Sequence, residues 1–84
     1  NPETWLPYEL ASDATVMIWI YNVKGELVRK LSLGRQEAGS YVTKDRAAYW
    51  DGRGEAGEYV ASGVHFYTIR AGDFTDTKKM VIAE

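Results

Sequence analysis

The feature that most limits what this chain can become is residues 15–21, TVMIWIY, in which every residue after Thr15 is large and apolar. At the two-residue period of a strand, Val16, Ile18 and Ile20 point one way and Met17, Trp19 and Tyr21 the other. A strand apolar on both faces belongs in the middle of a sheet with a second layer packed over it. The run is too short and too rich in β-branched and aromatic residues for a helix, and Asn22-Val23-Lys24-Gly25 closes it with residues that tolerate the backbone angles of a tight hairpin.

The same punctuation recurs along the chain. Residues 5–10, WLPYEL, read as a first strand with Pro7 at an edge or a break, because proline offers no amide to a ladder. Residues 27–33 place Leu27, Leu31 and Leu33 on one face with Arg29 at its margin, and Gly34 is expected to end the strand. Residues 39–43 and 47–50 are shorter strands around the charged Lys44-Asp45-Arg46, and Asp51-Gly52-Arg53-Gly54 reads as a turn. Residues 63–71 and 74–82 form a hairpin about Ala71-Gly72-Asp73. About seven short strands without a helical repeat predict an all-β fold, an immunoglobulin or fibronectin-III-like antiparallel β-sandwich. Residues 1–84 are one domain, and a start at Asn1-Pro2 without methionine suggests a piece of a longer protein.

Composition narrows function by exclusion. Ten Lys and Arg against twelve Asp and Glu give a net charge of −2, without the basic excess that holds a phosphate backbone, so nucleic acid is not an expected partner. There is no cysteine for a disulfide or thiolate site, and the single His65 cannot build a multi-histidine metal centre. No run nears the roughly 18 apolar residues that cross a bilayer as a helix. No cofactor is expected.

The opening NPET, the IYNVKGELVRKL of residues 20–31, Trp50-Asp51-Gly52, Gly57, Ala61-Ser62-Gly63-Val64, Phe66-Tyr67 and Lys78-Lys79-Met80 follow one another along the chain. In that order and spacing, and above all from Trp50 to Ile82, they resemble the C-terminal sandwich domains of bacterial secreted proteins, type IX sorting domains among them, and the related immunoglobulin-like domain of the flagellar hook-capping protein. The resemblance implies a non-catalytic domain at the end of an exported protein, at the cell surface or outside the cell. In sorting members it is read by a secretion machine, which makes Lys78, Lys79, Met80, Val81 and Ile82 the candidate recognition strand. Position 65 departs from the pattern, being His where an aromatic such as Tyr is usual, and so does the Ala83-Glu84 ending.

Chemistry-bearing alternatives are weak. Asp51, Glu55 and Glu58 share a Gly-rich loop, but their spacing misses the calcium loop pattern and Arg53 stands among them. The bland reading is a structural loop in which Asp51 accepts backbone amides, Trp50 plugs the base, and Gly52, Gly54, Gly57 and Gly63 take unusual backbone angles. Ser12, Ser32, Ser40 and Ser62 have only His65 as a base and no third partner. Glu3, Glu9, Glu37 and Glu55 lack a cleft to hold a sugar ring between two of them. Three Trp and six Tyr leave one binding option, an aromatic face of Trp19 and Tyr21 with His65 and Tyr67 beside it, suited to polysaccharide or a neighbouring protein. The alternative for that stripe is a second inward-facing surface. A third role is structural, with edge strands pairing to neighbours.

Overall fold

The computed structural model describes residues 3–83, so Asn1 and Pro2 of the NPET element and Glu84 of the chain end lie outside the described residues. The described residues form β1 (Thr4–Leu6), β2 (Tyr8–Leu10), β3 (Ala14–Asn22), β4 (Leu27–Gln36), β5 (Gly39–Tyr41), β6 (Ala48–Trp50), β7 (Gly63–Ala71) and β8 (Phe74–Ile82), with no helix. One sheet has the order β4-β3-β7-β8, and β1 with β6 and β2 with β5 make two ribbons of a second layer. Every pairing is antiparallel. The immunoglobulin-like sandwich expected from the strand pattern is the fold.

Alternation places the core as the sequence requires. Val16, Ile18 and Ile20 of the central β3 are 0% exposed. Ile69 stands opposite Ile18 and Tyr67 opposite Ile20 on β7, so both strands turn the same face inward. Leu6, Tyr8, Leu10, Tyr41, Ala48 and Trp50 close over them from the second layer. Tyr8 and Tyr41, cross-strand partners, stack at 4.6 Å with rings 6° from parallel. Burying each such side chain stabilises by about 1.5–3 kcal/mol, which is how so short a chain offsets its ordering entropy.

Three strand readings change in detail. The first strand is two: Pro7 breaks it, β1 pairs with β6 and β2 with β5, and residues 42–47 form a loop between those partners. The two strands around that loop are also shorter than expected, ending at Tyr41 and beginning at Ala48. β4 does not stop at Gly34. The register shifts there, with Val16 opposite Gly34 and Met17 opposite Ser32, so Leu33 is an extra residue. Gly34 takes the φ of 74° that the bulge requires, and the strand runs on to Gln36. A second shift sets Ile20 opposite Arg29 and Tyr21 opposite Leu27. It turns Leu27 outward at 51% exposure and lets Val28 pack against the core instead.

Candidate functional site

The loop that follows β6 is built around Trp50. Its ring is fully buried and its Nε1 donates to the carbonyl of Arg53 at 2.9 Å, so the indole both fills the core and pins the turn. Asp51 Oδ1 accepts the Arg53 amide at 3.0 Å, as the structural reading of that residue requires. Gly52 and Gly57 have φ of 80° and 90° and Gly63 has 125°, angles that side chains resist. Gly54 is different: its φ is not positive, and its constraint is space, since a Cβ there would sit 2.5 Å from Glu58 Oε2. Arg53 ties the far side by donating to the Gly57 carbonyl and the Tyr59 hydroxyl while lying 4.0 Å over the Tyr59 ring.

This loop docks on β4 through Arg29. The Arg29 guanidinium donates to Asp51 Oδ1 at 3.1 Å and to the Arg53 carbonyl at 3.0 Å, with Glu55 a further 3.9 Å contact. Glu55 then acts as a short false strand along the outer edge of β4. Its amide donates to the Val28 carbonyl at 3.1 Å, and its Oε2 accepts the Lys30 amide at 2.6 Å. Gln36 Nε2 donates to the Leu33 carbonyl further along the strand. Asp51 and Glu55 are therefore committed to Arg29 and to backbone, and among the described residues no cluster of His, Asp or Glu is arranged for a metal.

The opposite edge of the sheet is β8, which among the described residues pairs with β7 alone. The candidate recognition strand is spread over both its faces. Lys78 stands opposite Tyr67 and Met80 opposite His65 on the inner face, while Lys79 and Val81 lie opposite Phe66 and Val64 on the outer face. Lys78, Lys79 and Val81 are exposed and Met80 is half-buried. Ile82 is core at 4% exposure, so it cannot offer its side chain to a partner.

The four-residue aromatic face is not one surface. Trp19 and Tyr21 lie half-buried on the outer face of the sheet, opposite Thr68 and Phe66. His65 and Tyr67 are each 5% exposed on the inner face, opposite Asn22 and Ile20. Strand parity separates the two pairs, because odd positions of β7 share a face with even positions of β3. His65 packs 6.3 Å from Trp50, ring to ring, and its Nδ1 is 3.4 Å from the Gly63 carbonyl. It borders a cavity of about 800 Å³ at the loop end, together with Glu26, Glu58 and Ser62. No hydrogen bond joins Ser62 to His65 among the described residues, so the pair has no nucleophile and base geometry.

On the side of β8, the sandwich stays ajar. A cavity of about 200 Å³ lies between Tyr8, Leu10, Tyr67, Ile69, Phe74 and Lys78, and Phe74 is 59% exposed at its mouth. Burial, and next to it the Asp76 carboxylate, holds the Tyr67 hydroxyl above its ordinary pKa. Burial and the neighbouring Tyr41 do the same for Tyr8, against a smaller opposite pull from Arg46. The residues that sequence reasoning missed are Arg29 as a clamp, Glu55 as a cap on the β4 edge and Asp76 as the carboxylate near the Tyr67 hydroxyl. One signal was available for the clamp: a charged residue at an inward position, as at Arg29, needs a partner.

Comparison with known proteins places this geometry in a family. The chain matches the FlgD Ig-like domain over residues 4–75. Among solved structures, the crystal structure of FlgD from P. aeruginosa shares the fold with a TM-score of 0.69 at 20% identity, over 98% of this chain and 67% of that one. No curated protein matches. The family match takes in the sandwich from β1 to the start of β8, and on that ground the chain belongs to the FlgD Ig-like domain family.

Proposed function

We propose that this domain is a non-catalytic assembly module of an exported bacterial protein of the hook-capping type, and that it meets neighbouring protein chains through the open edge of β8. The observation that carries the reading is the contrast between a β4 edge capped at Val28 and Lys30 by Glu55 and a nine-residue β8 edge that, among the described residues, pairs only with β7. An unpaired edge is a template for strand addition. Replacing the matching segment of P. aeruginosa FlgD by residues 1–84 tests it. Hooks and swimming are expected in the chimera, and a folded, exported chimera that builds no hook would overturn the reading.

A second reading is favoured by the exposure of Lys78, Lys79 and Val81 on that edge: the strand is a sorting signal read by a type IX secretion machine. A reporter ending in residues 1–84 then reaches the cell surface, and Lys78→Ala with Lys79→Ala keeps it in the periplasm. Delivery unaffected by the double substitution would rule out the basic pair as code. If a polysaccharide is held instead, it reaches Trp19 and Tyr21 on the outer face, and tryptophan quenching by glycans reads it.

A further inference from the structure

We propose that the partner of the open β8 edge is a second copy of the same strand, paired antiparallel about a two-fold axis through Thr77. This deepens the assembly reading and rests on its premise that β8 is the contact edge.

The inner face of β8 presents Phe74, Asp76, Lys78, Met80 and Ile82 in alternation. Charges at inward positions of an edge strand ordinarily repel a visiting strand, since pairing would bury them. Here the two are opposite in sign and two residues apart, and among the described residues neither enters an ion pair. An antiparallel partner with Thr77 opposite Thr77 sets Asp76 of each copy against Lys78 of the other, twice, by symmetry. The same register places Phe74 against Met80, giving a 59% exposed ring an apolar neighbour. On the outer face it sets Thr75 against Lys79 and threonine against threonine at the axis, a favourable cross-strand pair.

The registers on either side fail. Sliding by one pair in one direction sets Asp76 against Asp76, and in the other sets Lys78 against Lys78, both destabilising when directly opposite. Shifts by a single residue turn the apolar set to the wrong face. The inward charges thus select one register rather than forbidding pairing altogether. One strand from each copy falls below the roughly 1,200 Å² of a stable interface, so association of the isolated domain is expected to be weak, at high micromolar concentration or above.

The chain has no cysteine, which makes the test direct. Opposed Cα atoms in an antiparallel pair lie about 4.5–5.5 Å apart, within disulfide reach. Thr77→Cys is expected to form a disulfide-linked dimer on mild oxidation, while Thr75→Cys and Lys79→Cys each stay monomeric alone and cross-link when mixed. Sedimentation of the cysteine-free protein is expected to show self-association weakened at least tenfold by Asp76→Lys or Lys78→Asp and restored in the double swap, with circular dichroism confirming that each variant folds. Equal cross-linking at positions 75, 77 and 79, a double swap as weak as the single changes, or a monomer at millimolar concentration would each overturn the proposal. If the hook-building chimera works while Thr77→Cys fails to cross-link, the homotypic partner is wrong and the assembly role stands.

Discussion

The two edges of the four-stranded sheet meet the same problem, a row of backbone groups facing outward, and meet it in opposite ways. At β4 the chain folds its own loop back: Arg29 seizes Asp51 and Arg53, and Glu55 takes the Val28 carbonyl and the Lys30 amide. At β8 nothing in the described residues is laid against the strand, and the protection is Asp76 and Lys78 at inward positions. One edge is capped by a loop over its Val28 to Lys30 stretch and the other is screened by charge. Backbone groups held by a loop are committed to the fold, whereas a charge-screened edge remains open to a partner carrying the complementary charges.

The largest effect is expected where the covered edge is rooted in the core. Trp50→Ala removes a fully buried indole together with its bond to Arg53, and a loss of about 3–5 kcal/mol is expected by chemical denaturation. Against a typical total of roughly 5–15 kcal/mol this brings the domain close to unfolding. Phe74→Ala at the open edge is expected to cost under about 1 kcal/mol, since the ring is 59% exposed. A comparable loss at the two sites would erase the contrast.

Arg29→Ala comes next. It strips two hydrogen bonds from the loop, and a loss of about 1–2 kcal/mol is expected, discounted because the pair with Asp51 is partly exposed at 27% and 37%. Arg29→Lys is expected to recover little, because an ammonium cannot span a carboxylate and a carbonyl with one rigid fork. Glu55→Ala is smaller in stability, about 0.5 kcal/mol or less for so exposed a side chain. Its sharper signature is amide exchange: Lys30 is expected to lose its protection at least tenfold, uncapping that stretch of the β4 edge.

The smallest effect is one of pH. Tyr8 and Tyr67 are held above the ordinary value of 10.0. The unfolded chain therefore releases these protons first, the folded state binds more protons, and stability falls as pH rises through and beyond about 10. Below that range both states are protonated and the term is flat. Tyr67→Phe is expected to shallow the decline, checked by thermal unfolding from pH 8 to 11.

How much of this the sequence carried differs by region in a way that physics explains. The central strand, the β7 and β8 hairpin and the buried Trp50 follow from a two-residue period and a glycine-rich turn, both local signals. The inward turn of His65 and Tyr67 away from Trp19 and Tyr21 was also encoded in strand parity, but it depends on the register between β3 and β7, which is a long-range fact. The bulges at Val28 and Leu33 left no local mark except Gly34, whose positive φ reads equally well as a strand end. The clamp of Arg29 on residues 51–55 spans more than twenty positions. Only its misfit, a charge on an otherwise leucine-lined face, was visible beforehand.

The most direct test of this account is residue-resolved amide exchange on the native domain and on Glu55→Ala, each at micromolar and near-millimolar concentration. Lys30 is expected to be protected in the native domain at every concentration and exposed in the variant, while the outward-facing amides of β8 gain protection only as concentration rises. Outward β8 amides protected in the dilute monomer, or a Lys30 amide that exchanges freely beside an intact Glu55, would contradict the division into a loop-capped edge and an open one.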